Sequence, residues 1–98
     1  MSRRDHILEI LATHRDALCQ LGVRRLSLFG STARGDGRPD SDLDFVVDLE
    51  TKTFDAYMDL HELLEKLLGS RVDLVLEGAI KPRLRPIILA EAVHVPGF

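Results

Sequence analysis

The chain has 98 residues, enough for one domain over 1–98 with a modest core. Hydrophobic residues make up 45% and charged residues 30%, with a net charge of −3, which excludes a disordered chain and gives no general attraction to nucleic acid or acidic membrane. The single cysteine, Cys19, excludes an intramolecular disulfide, the four histidines lie scattered without zinc-site spacing, and no apolar run approaches the ~18 residues of a membrane span. Ser2-Arg3-Arg4-Asp5-His6 leads into an amphipathic segment without a signal-peptide pattern, so a reducing cytoplasm is the expected compartment.

Residues 3 to 20 read as one helix capped by Ser2, with Ile7, Ile10, Leu11, His14, Leu18 and Leu21 on one face and Gly22 ending it. Cys19 on this helix reads as a small packing residue, since nothing near it lowers a thiol pKa. Val23 to Phe29 reads as a strand, with Leu26 and Leu28 on one side and Ser27 and Phe29 on the other. Gly30 to Asp40 is a loop with three glycines and a proline, in which Ser31 to Arg34 can make one helical turn. A second strand spans Leu43 to Leu49, and Thr53 caps a helix over 54–68 that Gly69 closes. Val72 to Leu76 is a third strand, 83–91 a shorter helix with Pro86 near its start, and Val93-His94-Val95 a short fourth strand. This order predicts an α/β fold, a small mixed sheet with helices packed chiefly on one face and an acidic face left for substrate. The first two strands form an antiparallel pair.

The chemistry gathers between Gly30 and Asp73. Asp42 and Asp44 are two apart on a strand, so their carboxylates share a face, with Cα atoms about 6.8 Å apart. Their repulsion is removed by a divalent cation. Magnesium suits them, because it prefers hard oxygen donors and is often held by one or two carboxylates plus substrate phosphates. Two such ions ~3.5–4 Å apart clamp the attacking and leaving oxygens of an in-line phosphoryl displacement. Asp73 sits inside an apolar strand, where a charge is costly without a partner. If that strand lies beside the Asp42–Asp44 strand, all three carboxylates meet. Asp48 lies further along the same face and reads as a solvated strand end, and Glu77 is a weaker substitute for Asp73. At the other end, Gly30 lets the backbone approach an anion, and Ser31 and the following amides donate to it. Arg34 adds a charge-assisted contact, with Arg38 a second cation.

The stretch Gly30-Ser31-Thr32-Ala33-Arg34-Gly35, followed by Ser41-Asp42-Leu43-Asp44, resembles the minimal nucleotidyltransferases of the DNA polymerase β-like superfamily. Their pattern is Gly-Ser, about ten residues, then Asp-x-Asp. Val72-Asp73-Leu74-Val75 resembles the family's third-carboxylate strand, and Lys81 to Val95 its closing helix and strand. The resemblance implies a polymerase β palm-like fold and two-metal nucleotidyl transfer. By it, Asp42, Asp44 and Asp73 are catalytic and metal-binding, and Gly30, Ser31 and Arg34 bind nucleotide. Mg²⁺ is the implied cofactor and ATP the substrate. The implied partner is a helical HEPN-type toxin, joined in a hetero-oligomer and neutralised by transfer of AMP to a tyrosine hydroxyl. Shortness points the same way, since 98 residues leave no room for a second domain to cover the acceptor. Two rivals stand beside this reading: an antitoxin that only covers its partner's active site, and nucleotidyl transfer to a small molecule or an RNA end.

Overall fold

The computed structural model describes residues 2–36, 38 and 41–98. Helix α1 (Arg3–Thr13) starts where the Ser2 hydroxyl accepts the Asp5 N–H at 3.1 Å, a cap that contributes about 1 kcal/mol. The single helix expected over 3–20 is two, since α2 (Arg15–Gln20) follows after a break at His14. There the His14 ring nitrogen Nδ1 engages the Ile10 carbonyl at 2.9 Å. The His14 N–H is shared between the carbonyls of Ile10 and Leu11, both at 3.2 Å. The break keeps Ile7, Leu11 and Leu18 all in the core although they lie on two axes.

Strand β1 (Val23–Phe29) runs into α3 (Gly30–Arg34), then β2 (Leu43–Leu49), α4 (Phe54–Leu68), β3 (Val72–Leu76), a 3-10 turn (Glu77–Ala79), α5 (Arg85–Glu91) and β4 (Val93–His94). The sheet order is β3-β2-β1-β4, with β1 antiparallel to β2 and β4, and β2 parallel to β3. The sheet is therefore mixed, as expected. Leu26 and Leu28 of β1, Leu43, Phe45, Val47 and Leu49 of β2, and Val72 and Leu74 of β3 face α1, α2 and α4 and form the core with Leu60 and Leu64. Helix α4 begins at the Thr53 cap and ends at Gly69, whose φ of +64° is one a side chain resists. Residues of the other sheet face alternate with these, and α5 and the 3-10 turn lie along part of that face, with Leu89 near Ser27 and Val46.

Several expectations change in detail. A bulge between Val23 and Arg25 puts two residues of β1 opposite one of β2, which returns Val23 to the core side. Asp48 is not solvated: it is half-buried, with Arg25 at 3.6 Å and Lys52 at 4.0 Å. Cys19 is exposed rather than packed. Helix α5 starts two residues late, at Arg85, which puts Pro86 in its first turn. Among the described residues no helix is long and apolar enough to cross a membrane.

Candidate active site

The open sheet face carries the carboxylates. Register pairs Asp44 of β2 with Asp73 of β3 in the parallel ladder and with Phe29 of β1 on the other side. The adjacency left conditional by the sequence is thus met, and the three carboxylates lie at one end of the sheet. Asp44 is half-buried, whereas Asp42 and Asp73 are exposed. Burial pushes the Asp44 carboxyl above the ordinary range, the charges of Asp73 and then Asp42 push the same way, and Arg34 partly offsets them. Glu77, the weaker alternative, lies outside this cluster and pairs with Arg25 at 3.1 Å and Arg85 at 3.4 Å.

Gly30 stands directly in front of Asp44. Its φ is +75°, and a Cβ there would overlap the Asp44 carboxylate, 3.2 Å from Cγ. The strand-to-helix turn thus brings backbone against carboxylate, which only glycine allows. Ser31 follows it in the first turn of α3, and Thr32 and Ala33 bury the back of that helix. Gly35, at φ +87°, closes α3, and the Asp36 N–H returns to the Ser31 carbonyl at 3.1 Å. Arg34 is exposed and engaged, with Nη1 3.1 Å from Glu91 Oε2 and Nε 3.5 Å from Asp36 Oδ2. These two carboxylates hold its guanidinium fully charged, Asp36 most strongly. The expected loop extends over residues 37, 39 and 40, which lie outside the described residues. Arg38 is exposed.

Two supports gave no local signal in the sequence. Arg3 reaches from α1 to the stretch before Asp42, donating from Nη1 to the Arg38 carbonyl at 2.7 Å and from Nη2 to the Ser41 carbonyl and Ser70 hydroxyl, both at 3.3 Å. On the other side, Glu65 of α4 accepts the Val72 N–H at 3.0 Å, and the His61 Nε2–H donates to the Val72 carbonyl at 2.8 Å. This pair fixes the residue before Asp73. Both contacts are 7 residues or more apart in the chain, beyond the reach of periodicity.

Among the described residues, no three His, Cys, Asp or Glu side chains are already drawn together as a cage for an ion. The donor set nevertheless fits a hard divalent cation. It is all oxygen, and it holds carboxylates whose mutual repulsion such an ion relieves. A site of this kind completes its coordination with substrate phosphates and water. A hollow of about 670 Å³ opens between α2 and α4, beside Leu21 and Leu63, but it lies on the helical layer and away from this chemistry.

The family model for the nucleotidyltransferase domain matches residues 11–95. The chain belongs to that family. Its relatives include the protein adenylyltransferase MntA of Thermococcus cleftensis, 40% identical over 93 residues, which are 93% of this chain and 94% of the relative. A solved structure described as a minimal nucleotidyltransferase is 42% identical, covers 95% of each chain and superposes with a TM-score of 0.73. A more distant neighbour shares the fold alone. It is the complex of a tri-AMPylated Shewanella oneidensis HEPN toxin with an MNT antitoxin, at 21% identity and a TM-score of 0.64 over 93% of this chain and 73% of that one. The nucleotidyltransferase fold therefore explains the arrangement seen here: β1, α3 and β2 carry the glycine turn and the carboxylate pair, and β3 brings the third carboxylate alongside.

Proposed function

We propose that this nucleotidyltransferase moves AMP from ATP to a tyrosine hydroxyl of a HEPN-type partner and thereby neutralises it as an antitoxin. The observation that carries the reading is the Asp44–Asp73 register with Gly30 pressed against Asp44. The partner half rests on the 40% identical protein adenylyltransferase and on the fold shared with an antitoxin bound to an AMPylated toxin. A cytoplasmic location belongs to the same proposal, since an ATP donor is available there.

In this reading Asp42, Asp44 and Asp73 hold magnesium, which when bound neutralises the triphosphate and polarises its α-phosphate. The Gly30 turn lets the main chain come close to the phosphates, and the Ser31 hydroxyl donates to one of them. Arg34 exchanges Glu91 or Asp36 for phosphate oxygens. Asp73, exposed at the mouth of the site, takes the proton from the acceptor hydroxyl. The acceptor oxygen bonds to the α-phosphorus, the bond to the bridging oxygen breaks, and pyrophosphate leaves with that electron pair. The fixed carboxylates and loop contribute position and electrostatics rather than covalent chemistry.

The test is incubation of the chain with α-labelled ATP, Mg²⁺ and a HEPN-type protein from the same organism. Label should pass to a tyrosine of that protein, and Asp42→Asn with Asp44→Asn should abolish the transfer and the neutralisation. A double variant that neutralises as well as wild type would leave a binding-only antitoxin. Label on a small molecule or an RNA end in place of the protein would reassign the acceptor.

A further inference from the structure

Helix α5 is tied down at its ends and bare along its length. Arg85 in its first turn pairs with Glu77 at 3.4 Å, and Glu91 in its last turn pairs with Arg34 at 3.1 Å. Between these ties no residue of the helix is buried. Ile87 is 60% exposed and Leu89 40%, with Leu84 just ahead at 42%. Seven residues are too few to hold a helix in water, and aliphatic side chains left in solvent forgo the stabilisation that burial gives. The segment also gathers Lys81, Arg83 and Arg85 within five positions of a chain whose net charge is −3. Lys81 and Arg83 enter none of the ion pairs among the described residues.

We infer that this face, with Leu84 and Ile87 at its centre and Lys81 and Arg83 at its rim, docks the protein that accepts AMP. The inference rests on the protein-acceptor reading above. The complementary surface is an aliphatic patch rimmed by carboxylates. Charge and position argue for that occupant. The Arg34–Glu91 pair joins the last turn of the helix to the glycine turn, so a protein seated along α5 flanks the site on its Arg34 side. Its carboxylates are drawn to Lys81 and Arg83 and repelled by the Asp42–Asp44–Asp73 cluster, which sets its orientation. A second copy of this chain fits less well, because a two-fold contact sets this face against itself, and the face carries the cations Lys81 and Arg83 rather than a rim of carboxylates to meet them.

The test uses the intact chain and a purified HEPN-type protein from the same organism, with association followed by calorimetry. Ile87→Glu, alone and with Leu84→Glu, should weaken association by about 30-fold or more. Binding of AMP-PNP with Mg²⁺ and the melting temperature should stay as in wild type, since both side chains are exposed. Lys81→Glu with Arg83→Glu should weaken association about 10-fold and flatten its salt dependence. Association of Ile87→Glu equal to wild type would overturn the docking surface while leaving the acceptor reading intact. A wild-type chain that binds AMP-PNP but not the HEPN-type protein would overturn both. Loss of self-association in Ile87→Glu, with the HEPN-type protein still bound, would assign the face to a second copy.

Discussion

Gly30 and Asp44 are packed so closely that the glycine cannot carry a side chain: its Cβ would overlap the carboxylate and stand 3.4 Å from the Asp44 Cβ. Gly30→Ala therefore meets two penalties, the left-handed backbone at φ +75° and the overlap. Gly35, at φ +87°, has nothing within 4 Å of its Cβ position and separates them. Gly35→Ala should lose only the backbone part, about 1–2 kcal/mol, or several degrees of melting temperature in a domain of this size. Gly30→Ala should lose more stability and about 100-fold in nucleotidyl transfer, because the carboxylate must move. Thermal melts and turnover on the two variants check this. Equal effects would mean that Asp44 gives way freely.

Asp44 illustrates a conflict between folding and chemistry. Burial and the charges of Asp73 and Asp42 raise its pKa in the fold above the unfolded value. Over that window the folded chain holds a proton that the unfolded chain has released. Stability from this group is thus highest at low pH and falls as pH rises through the folded pKa. Asp44→Asn should be more stable than wild type at neutral pH, by less than about 1 kcal/mol after solvent screening, and inactive. The gap between the two melting temperatures should close as pH is lowered below the folded pKa. Mg²⁺ should raise the wild-type melting temperature and leave that of Asp44→Asn almost unmoved. A wild-type advantage at pH 7 without metal would refute the repulsion.

Much of this site was legible from local periodicity. Alternation along Leu43–Leu49 fixed which side chains face the core, and the structure keeps that assignment. The same alternation fails at Val23, because the extra residue of a bulge resets the parity and no composition cue marks it. The break at His14 is hidden because its side chain suits the apolar stripe, and the ring-to-carbonyl bond that accompanies it depends on rotamer, not residue spacing. Asp48 reads as solvated for a related reason: its nearer partner, Arg25, comes from β1, a tertiary pairing, while Lys52 four residues on stands at 4.0 Å. The proximity of Asp73 to Asp44 comes from the parallel β2–β3 ladder, and strand order is not written in the strands themselves.

Arg3 acts on the site from the first turn of α1. Its guanidinium binds the carbonyls of Arg38 and Ser41, just before Asp42. Arg3→Met keeps much of the stem and removes the donors. It should cost about 1.5–3 kcal/mol. Because the bonds flank the approach to Asp42, the KM for ATP should rise more than the melting temperature alone explains. Arg3→Lys should recover only part of this, since an ammonium cannot span the same set of acceptors. Steady-state kinetics at saturating acceptor separate the effects. An unchanged KM in a folded Arg3→Met would show that the clamp serves stability only.

The Thr32 hydroxyl is buried at the back of α3, with no hydrogen-bond partner among the described residues. A buried hydroxyl without a partner costs about 1–3 kcal/mol, whereas a methyl of the same shape does not. Thr32→Val keeps the β-branched outline and should raise stability by about 1 kcal/mol, read as a rise in melting temperature of about 4–8 °C. Thr32 immediately follows Ser31 but faces inward, so AMP-PNP binding and turnover should stay within about twofold of wild type, well under the tenfold that 1.4 kcal/mol represents. A drop in stability would mean that the hydroxyl is satisfied in solution. Lost nucleotide binding in a stabilised Thr32→Val would instead assign the hydroxyl to the phosphate loop, held unpaired in the free chain for its ligand.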